Sequence, residues 1–293
     1  MKPTIHSLLT RGRDALATAL GLDVDTARIE IQCLLQHVLD VQRVHLLSHP
    51  EQELHESQIN SYYALLQRRL AGEPIAYLLG QREFFGLNFK VTPATLIPRP
   101  ETELLVELAL ARIPSPAQTI WGRGYAFRVL DLGTGCGAIA LAIANARPDV
   151  GMTAVDASRM ALEVARTNAQ KLHTHNVCLK YGDWFSACDG NSFDLIVSNP
   201  PYVAEGDLHL LRGDVRFEPL KALASGQDGL DDIRCIIQHA PRHLATPGWL
   251  LLEHGYDQAE QVRDLLLNSG FRDVFSEKDL AGIERVSGGQ IGA

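Results

Sequence analysis

The residues best suited to chemistry follow a short apolar run, in the stretch Asn199-Pro200-Pro201-Tyr202. The preceding Phe193-Asp194-Leu195-Ile196-Val197 has the pattern of a buried strand, which two prolines end because proline has no backbone N–H to donate. Their fixed φ angles hold Asn199 and Tyr202 in a stiff frame. Asn199 and the Pro200 carbonyl offer acceptors and Tyr202 a ring face, so the frame suits a planar N–H2 group. A proline-rich strand exit without a ligand is the alternative.

A second candidate is the glycine-rich stretch Asp131-Leu132-Gly133-Thr134-Gly135-Cys136-Gly137, between an apolar strand and a helix. Glycines let the backbone turn tightly and approach a ligand, and a helix N-terminus follows. Asp156 ends the next strand, where a carboxylate can accept both hydroxyls of a ribose. Two cofactors fit. A dinucleotide would place its pyrophosphate on Gly133-x-Gly135-x-x-Ala138, and S-adenosylmethionine would place its ammonium group near Asp131. A tight strand–helix turn without a ligand is the alternative.

Asp183 and Trp184 follow the third strand of the same region. Asp183 can accept the amino group of an adenine and the Trp184 ring can pack on the purine, although a tryptophan of the core is the alternative. With Asn199, these residues predict a methyl donor beside a holder for an N–H2 group, and a hydride-transfer site would leave that holder unexplained. No general base is evident. His254 is a candidate, but a structural role is favoured.

The elements that must position these residues begin at Arg128, where strands alternate with helices. Expected strands span 129–132, 152–156, 177–181, 193–197 and 249–253, with two short ones near Phe271 and Glu284. Expected helices span 138–146, 161–171, 231–244 and 258–268. This alternation predicts a doubly wound, mainly parallel α/β sheet. Ligands of such sheets bind at the carboxyl ends of the strands, where all the candidate residues fall.

The first 73 residues have helical periodicity and a slightly acidic charge balance. Thr4 or Ser7 is expected to cap a first helix and Asp25 a second, and a third is expected from about His55 to Gly72 and Pro74. The inward residues are predicted to be Leu8, Leu9, Leu16 and Leu20, then Ala27, Ile31, Leu34, Leu35 and Val38, and then Ile59, Tyr63, Leu66 and Leu70. Recognition of a protein partner is the functional interpretation and a stabilising cap the alternative.

Three features connect this segment to the sheet. Residues 83–91 alternate in polarity and predict a hairpin, with Gly86 and Asn88 in its turn. Pro100 suits the first position of a helix that follows. Residues 114–126 lack periodicity and predict a surface loop.

Composition excludes several classes of protein. The chain has 293 residues, 46% of them hydrophobic and 21% charged, which is ordinary for a globular protein of two domains. Five cysteines without a CxxC pair support neither a zinc site nor a disulfide framework. A net charge of −8 argues against binding nucleic acid mainly through phosphates. No membrane segment or signal peptide is evident, so a cytoplasmic protein is expected.

The chain resembles the protein-(glutamine-N5) methyltransferases that modify peptide-chain release factors, the HemK family, over nearly its whole length. The matching stretches are Leu96-Ile-Pro-Arg-Pro-Glu-Thr-Glu103, Asp131–Gly137, Asn199–Tyr202, Glu218-Pro219 with Ala222-Leu223, Asp228-Gly229-Leu230 and Arg285-Val286. Asn-Pro-Pro-Tyr also resembles the motif of adenine-N6 and guanine-N2 methyltransferases. The first stretch and the acidic helical domain favour the protein-glutamine family. Ser225 departs from the glycine expected before Gly226.

The resemblance implies a Rossmann-like class I methyltransferase with a doubly wound, mainly parallel seven-stranded sheet and a small N-terminal helical domain. The implied domains are a helical substrate-recognition domain at 1–75, a hairpin linker at 76–100 and a methyltransferase domain at 101–293. The implied reaction moves a methyl group from S-adenosyl-L-methionine to the glutamine amide of the Gly-Gly-Gln motif of release factors, leaving S-adenosyl-L-homocysteine. A nucleic-acid exocyclic-amine methyltransferase is the alternative. We expect a monomer that binds neither a membrane nor nucleic acid stably and uses no metal.

The resemblance also implies roles for individual residues. Gly133 and Gly135 would line the methionine part of the donor, within a donor-binding set that comprises Asp131, Leu132, Gly133, Thr134, Gly135, Asp156, Asp183, Trp184 and Asn199. Asn199 and the Pro200 carbonyl would accept the two hydrogens of the substrate amide, with Pro201 and Tyr202 completing the substrate site. The tail sequence Gly288-Gly289-Gln290 could mimic a substrate, but coincidence is the favoured interpretation.

Overall fold

The computed structural model describes residues 2–115 and 127–292, so most of the surface loop expected at 114–126 lies outside the described residues. Contacts divide the chain into two units. The smaller unit contains the residues up to Gly80 together with Leu211–Phe217, and the larger contains Gln81–Leu210 and the residues from Glu218 onward. Among the described residues, no helix is both long and apolar enough to cross a membrane.

The smaller unit is helical. Its helices are α1 (Ile5–Leu20), α2 (Val24–Leu39), α3 (Arg43–Ser48), α4 (Glu56–Leu70) and α5 (Ile75–Leu79). Apolar faces of α1, α2 and α4 form one core around Ile5, Leu16, Ile31 and Leu66. Thr4 and Ser7 form a reciprocal capping box at the start of α1, which confirms that the helix is capped there.

Two local predictions for this unit are wrong by one or two residues. Asp23, not Asp25, caps α2, because its Oδ1 accepts hydrogen bonds from the backbone N–H groups of Asp25 (3.0 Å) and Thr26 (2.9 Å). Tyr62, not Tyr63, faces the core, where its hydroxyl donates to the Leu8 carbonyl over 3.0 Å. Tyr63 is exposed.

The larger unit contains a seven-stranded sheet. In chain order the elements of the larger unit are β1 (Gln81–Phe84), β2 (Leu87–Lys90), α6 (Glu103–Arg112), β3 (Arg128–Leu132), α7 (Ala138–Ala146), β4 (Gly151–Asp156), α8 (Arg159–Lys171), β5 (Val177–Tyr181), β6 (Phe193–Ser198), α9 (Asp231–His239), β7 (Leu244–Glu253), α10 (Ala259–Asn268), β8 (Arg272–Lys278) and β9 (Glu284–Ile291). The sheet order is β5-β4-β3-β6-β7-β9-β8. Neighbours from β5 to β7 are parallel, and β9 is antiparallel to both β7 and β8.

This sheet confirms the expected doubly wound α/β class, in which helices cover a buried, largely parallel sheet. Two predicted boundaries are wrong: α9 ends at His239 rather than near Leu244, and β7 begins at Leu244 rather than at Trp249. Pro241 has no backbone N–H to continue the α-helical hydrogen bonds, and the chain passes through a short 3-10 helix, Ala240–Arg242, before β7 begins at Leu244.

Strands β1 and β2 form the predicted antiparallel hairpin, which belongs to the larger unit. Its turn is made by Phe85 and Gly86, which both have positive φ angles, of 51° and 73°. Asn88, expected in the turn, instead pairs with Glu83 inside the ladder. A two-residue turn with both φ angles positive matches the twist of the flanking strands.

The Gly-Gly-Gln tail sequence lies inside β9, the strand between β7 and β8. Gly288 pairs with Leu251 on one side and Phe275 on the other, and Gln290 pairs with Trp249 and Arg272. A segment hydrogen-bonded on both edges is not a free loop. The idea that it mimics a substrate is therefore wrong, and the sequence match is a coincidence.

Candidate active site

Four neighbouring strands bring the predicted residues to one edge of the sheet. The order β4-β3-β6-β7 places the carboxyl ends of these strands side by side. Asp156 ends β4, Leu132 ends β3, Ser198 directly precedes Asn199 at the end of β6, and Glu253 ends β7. The Ser198 hydroxyl donates to the Leu132 carbonyl over 2.7 Å, which ties the ends of β6 and β3 together.

The glycine-rich loop after β3 is shaped by its positive φ angles and by a hydrogen bond to the Asp156 carboxylate. Gly133 and Gly135 have φ angles of 71° and 57°, which favour glycine. The N–H of Gly135 donates to Asp156 Oδ2 over 2.8 Å, and Asp156 Oδ1 accepts from the Ser158 N–H over 2.7 Å. Burial raises the pKa of Asp156, against the effect of these two donors. Each carboxylate oxygen still has a lone pair for a ligand hydroxyl.

Asp131 is buried at the start of this loop. Its Oδ2 accepts a 2.6 Å hydrogen bond from the Thr134 hydroxyl, whereas its Oδ1 is buried and has no hydrogen-bond partner within the described ranges. Burial raises the pKa of Asp131 to about 7. An unpartnered buried carboxylate oxygen is costly, so this atom favours a nearby cation or donor.

Trp184 stands beside the loop, because a Cβ added to Gly133 would lie 3.4 Å from its Cζ3 atom. The ring is partly buried and packs on the core. Asp183 is exposed at the start of a short 3-10 helix, Trp184–Ala187, and its N–H donates to the Ser186 hydroxyl over 2.8 Å. The structure thus places Trp184 against the glycine loop and leaves the Asp183 side chain at the surface.

The Asn199–Tyr202 frame is fixed from one side. Asn199 Nδ2 donates to the buried Thr102 hydroxyl over 3.1 Å. In the described part of the chain, neither Asn199 Oδ1 nor the Pro200 carbonyl accepts a hydrogen bond. Pro200 is buried, while Asn199, Pro201 and Tyr202 are partly buried. The frame therefore has two acceptors to offer.

Glu253 supports the same frame from β7. The Tyr202 hydroxyl donates to Glu253 Oε1 over 3.2 Å, and burial raises the pKa of Tyr202. Glu253 is fully buried, and no described atom lies in regular hydrogen-bonding geometry to its Oε2. Burial raises its pKa to about 7, although hydrogen bonding by the hydroxyls of Thr102 and Tyr202 lowers it.

Two further residues fix the Tyr202 backbone. Gln258 Nε2 donates to the Tyr202 carbonyl over 3.0 Å. Gly229, with φ of 77°, passes so close that a Cβ there would lie 2.2 Å from the same carbonyl oxygen. Glycine is therefore required at position 229. Ser225, the departure from the family pattern, is buried and its hydroxyl accepts from the Asp232 N–H at the start of α9 over 2.8 Å.

Sequence reasoning missed the contributions of Thr102, Glu253 and Gln258. Thr102 lay within a stretch already singled out, and Glu253 is an acidic residue at the end of an apolar strand, which was the available signal. His254, the base considered earlier, is buried within the sheet, where its ring nitrogens contact the Gly255 carbonyl (2.9 Å) and the Ser287 hydroxyl (2.8 Å). No three His, Cys, Asp or Glu side chains of the described ranges form a group that could hold a metal.

The fold and the site define a Rossmann-like class I methyltransferase. A solved methyltransferase from Pyrococcus furiosus shares this fold, with a TM-score of 0.52 and 20% identity over 78% of this chain and 98% of that one. Family models for the PrmC N-terminal domain and the methyltransferase small domain match residues 7–80 and 118–213.

Full-length relatives identify the family. The chain is 50% identical to a release factor glutamine methyltransferase of Vibrio cholerae over 99% of this chain and 98% of the relative. It is 47% identical to one of Escherichia coli over 91% and 93%. The chain belongs to the release factor glutamine methyltransferase family.

Proposed function

We propose that the protein transfers a methyl group from S-adenosyl-L-methionine to the side-chain amide nitrogen of the glutamine in the Gly-Gly-Gln motif of peptide-chain release factors. The observation that carries the proposal is the pair of unused acceptors at Asn199 and Pro200, beside a glycine loop of the donor-binding type. Family membership supports a glutamine amide as the group that these acceptors hold.

The residues at the ends of β3 and β4 fit the donor. The unpartnered Asp131 Oδ1 suits its ammonium group, and no described atom lies within 4 Å of a Cβ added at Gly135, which leaves room beside the backbone. Asp156 would accept the ribose hydroxyls and Trp184 would pack near the adenine. Gly133, with its neighbours Leu132 and Thr134, would line the methionine part. Asp183 would accept the adenine amino group.

The donor supplies a sulfonium-bound methyl group that is electrophilic, and it leaves as S-adenosyl-L-homocysteine. The chain's own task is to activate an amide nitrogen, whose lone pair is delocalised into its carbonyl. Asn199 Oδ1 and the Pro200 carbonyl would accept its two hydrogens, which directs the lone pair and favours positive charge on nitrogen. Pro201 and Tyr202 would pack against the amide plane. Such alignment can supply several of the ~7–11 kcal/mol available to well-oriented reactions.

The helical domain, residues 1–75, is proposed to recognise the release factor. A hairpin linker at 76–100 would connect it to the methyltransferase domain at 101–293. We further propose that the enzyme is a monomer, that it acts in the cytoplasm and that it has no stable nucleic-acid partner. Of the basic residues that a nucleic-acid substrate would need near Asn199, Arg216 is engaged within the helical unit, where it donates to the Ala71 carbonyl over 2.6 Å. Arg212 and Lys221 remain exposed.

Labelled methyl transfer decides between the two substrates. Purified release factor, a variant with its Gly-Gly-Gln glutamine changed to alanine, and RNA or DNA are each incubated with labelled donor. We expect label only on the unaltered release factor. Label on nucleic acid, or equal label on the glutamine-less variant, would establish the exocyclic-amine alternative or a different protein site.

The variant Asn199→Ala tests the frame itself. Because it removes one of the two proposed amide acceptors, we expect turnover to fall at least ~100-fold. Donor affinity, measured by calorimetry, should stay nearly unchanged. Asn268→Ala, at the exposed end of α10, is the matched control. Turnover close to that of the control would refute the role of Asn199 as an acceptor for the substrate amide.

A further inference from the structure

A buried glutamine holds the backbone of the Asn199–Tyr202 frame. Gln258 directly precedes α10 and is 6% exposed. Its Nε2 donates to the Tyr202 carbonyl over 3.0 Å and to the Asp228 carbonyl over 3.2 Å. Its Oε1 accepts from the Gly255 N–H over 2.8 Å. The nitrogen and the oxygen of this side-chain amide are therefore both bonded to backbone groups.

The three partners allow only one orientation of the Gln258 amide. Two of them are carbonyl oxygens, which only accept hydrogen bonds, and the third is a backbone N–H, which only donates. A reversed amide would face both carbonyls with an oxygen and the N–H with an N–H2 group. Because the side chain is buried, water could not replace the lost bonds. The Nε2 group therefore stays on the Tyr202 carbonyl.

A chain of hydrogen bonds fixes the Gly255 peptide in turn. The Gly255 carbonyl can only accept, so His254 Nδ1, at 2.9 Å, carries the ring proton. Burial lowers the pKa of His254, which favours the neutral ring, and its Nε2 then accepts from the Ser287 hydroxyl over 2.8 Å. The hydroxyls of Ser287 and Ser276 lie 2.7 Å apart, and Arg263 Nη1 donates to Ser276 over 2.7 Å. The fully buried ring of His254 therefore holds this turn from inside the sheet.

The other end of Tyr202 is held separately, since its hydroxyl donates to Glu253 Oε1 over 3.2 Å. We propose that Gln258 is a positioning residue that fixes the Tyr202 backbone while Glu253 holds the end of its ring, so that the ring keeps its place against the substrate amide. Because two prolines leave the chain between Asn199 and Tyr202 little freedom, the same bond also steadies the two acceptors. This inference rests on the proposed function, since the place of the ring matters only if an amide packs on it.

Gln258→Met tests this role, because methionine has a similar length but no N–H to donate. Turnover is counted per donor-binding site, with the number and affinity of these sites measured by calorimetry, so that a loss of folded protein does not register. We expect kcat on purified release factor to fall at least ~10-fold, with KM and donor affinity nearly unchanged, since a small misplacement near the reacting atoms is costly. Gln261→Met, at an exposed position of α10, is the matched control. A kcat per site equal to that of the control would overturn the proposal.

A second measurement needs neither turnover nor a variant, and it decides the matter if Gln258→Met fails to fold. In the free wild-type protein, NMR should show slow exchange of the Gln258 Nε2 protons with water and a neutral His254 ring with its proton on Nδ1. Rapid exchange of the Nε2 protons, or a ring proton on Nε2 of His254, would contradict the bonds that hold Tyr202. If the wild type methylates no glutamine, the proposed function is refuted instead, and the exchange rates still decide whether Gln258 fixes Tyr202.

Discussion

Two buried carboxyl groups, Asp131 and Glu253, lie on the strands on either side of the Asn199–Tyr202 frame, and their surroundings suit them to the different tasks proposed above. Asp131 Oδ2 accepts from the Thr134 hydroxyl inside the glycine loop, and no described atom lies in regular hydrogen-bonding geometry to its Oδ1. Glu253 Oε1 accepts from the Tyr202 hydroxyl over 3.2 Å, at the Asn199–Tyr202 frame. Burial raises the pKa of both to about 7. Carboxyl groups with perturbed pKa values at the ends of strands are typical of functional sites, because a buried charge is costly unless a partner offsets it.

Asp131→Asn separates the donor task from the substrate task. A cationic ammonium group favours the ionised carboxylate, whose free-enzyme pKa is near 7. Wild-type affinity for S-adenosylmethionine should therefore weaken as the pH falls below 7, by up to about tenfold per pH unit. In Asp131→Asn it should be weaker and independent of pH in this range. Calorimetric Kd values on both sides of pH 7 measure this, and a variant with the wild-type pH dependence would exclude Asp131 as the titrating group.

The free protein shows the opposite stability linkage. The pKa of Asp131 is raised above its unfolded value, so the folded state holds the proton more tightly. Stability from this group is present at low pH and is lost as the pH rises toward 7. The donor should accordingly stabilise the protein most above that pH.

At the level of elements, the two glycines of β9 explain why a Gly-Gly pair occurs in a central strand, where glycine is normally unfavourable. A Cβ at Gly288 would lie 2.5 Å from Leu251 Cδ2 and 2.8 Å from the Leu250 carbonyl oxygen, and one at Gly289 would lie 2.9 Å from Phe271 Cβ. The backbone oxygen cannot move without disturbing β7. The pair is a packing requirement of the sheet.

Gly288→Ala should destabilise the protein by about 1–3 kcal/mol, since overpacking a closed core displaces its neighbours. Urea unfolding followed by circular dichroism measures the change. Gly206→Ala is the matched control, because no described atom lies within 4 Å of a Cβ there. If both variants unfold at the same urea concentration, the close approach to Leu250 does not constrain position 288.

The helices and strands also show how much of the structure the sequence could predict. The alternation of strands and helices could be predicted because each type of element has its own spacing of apolar residues. The bounds of α7 and β5 match the prediction. The sequence did not reveal which of two adjacent residues faces the core, as Tyr62 and Tyr63 show. The hydrogen bond between Asn199 and Thr102 also escaped prediction, since these residues are far apart in the chain and only the tertiary fold brings them together.

In the whole molecule, the residues of the candidate active site and the helical unit are separate. The glycine-rich loop, the Asn199–Tyr202 frame and Glu253 all belong to the larger unit, whereas the smaller unit contains a buried ion network of its own. Arg69, 2% exposed, donates to both oxygens of Glu30 (2.7 and 3.0 Å) and to Asp214 (2.9 Å). Asp214 lies in the Leu211–Phe217 segment, so this network joins that segment to the helices.

Glu30→Ala tests whether the two units have separate tasks. It leaves the buried Arg69 charge without its bidentate partner, which should destabilise the helical unit by about 3 kcal/mol. Because that unit is proposed to recognise the release factor, methylation of release factor should be lost at a lower temperature than in the wild type. Donor binding, which is proposed for the larger unit, should be lost at the same temperature as in the wild type.

Arg28→Ala is the control for this comparison, because its ion pair with Asp25 is exposed and should contribute less than about 1 kcal/mol. Hydrogen exchange identifies the affected region: amides of α2 and α4 should exchange faster in Glu30→Ala, while those of β3 and β6 should not change. If donor binding and release-factor methylation were lost together at the same lowered temperature, the chain would act as one cooperative unit. The separate recognition role proposed for the helices would then be wrong.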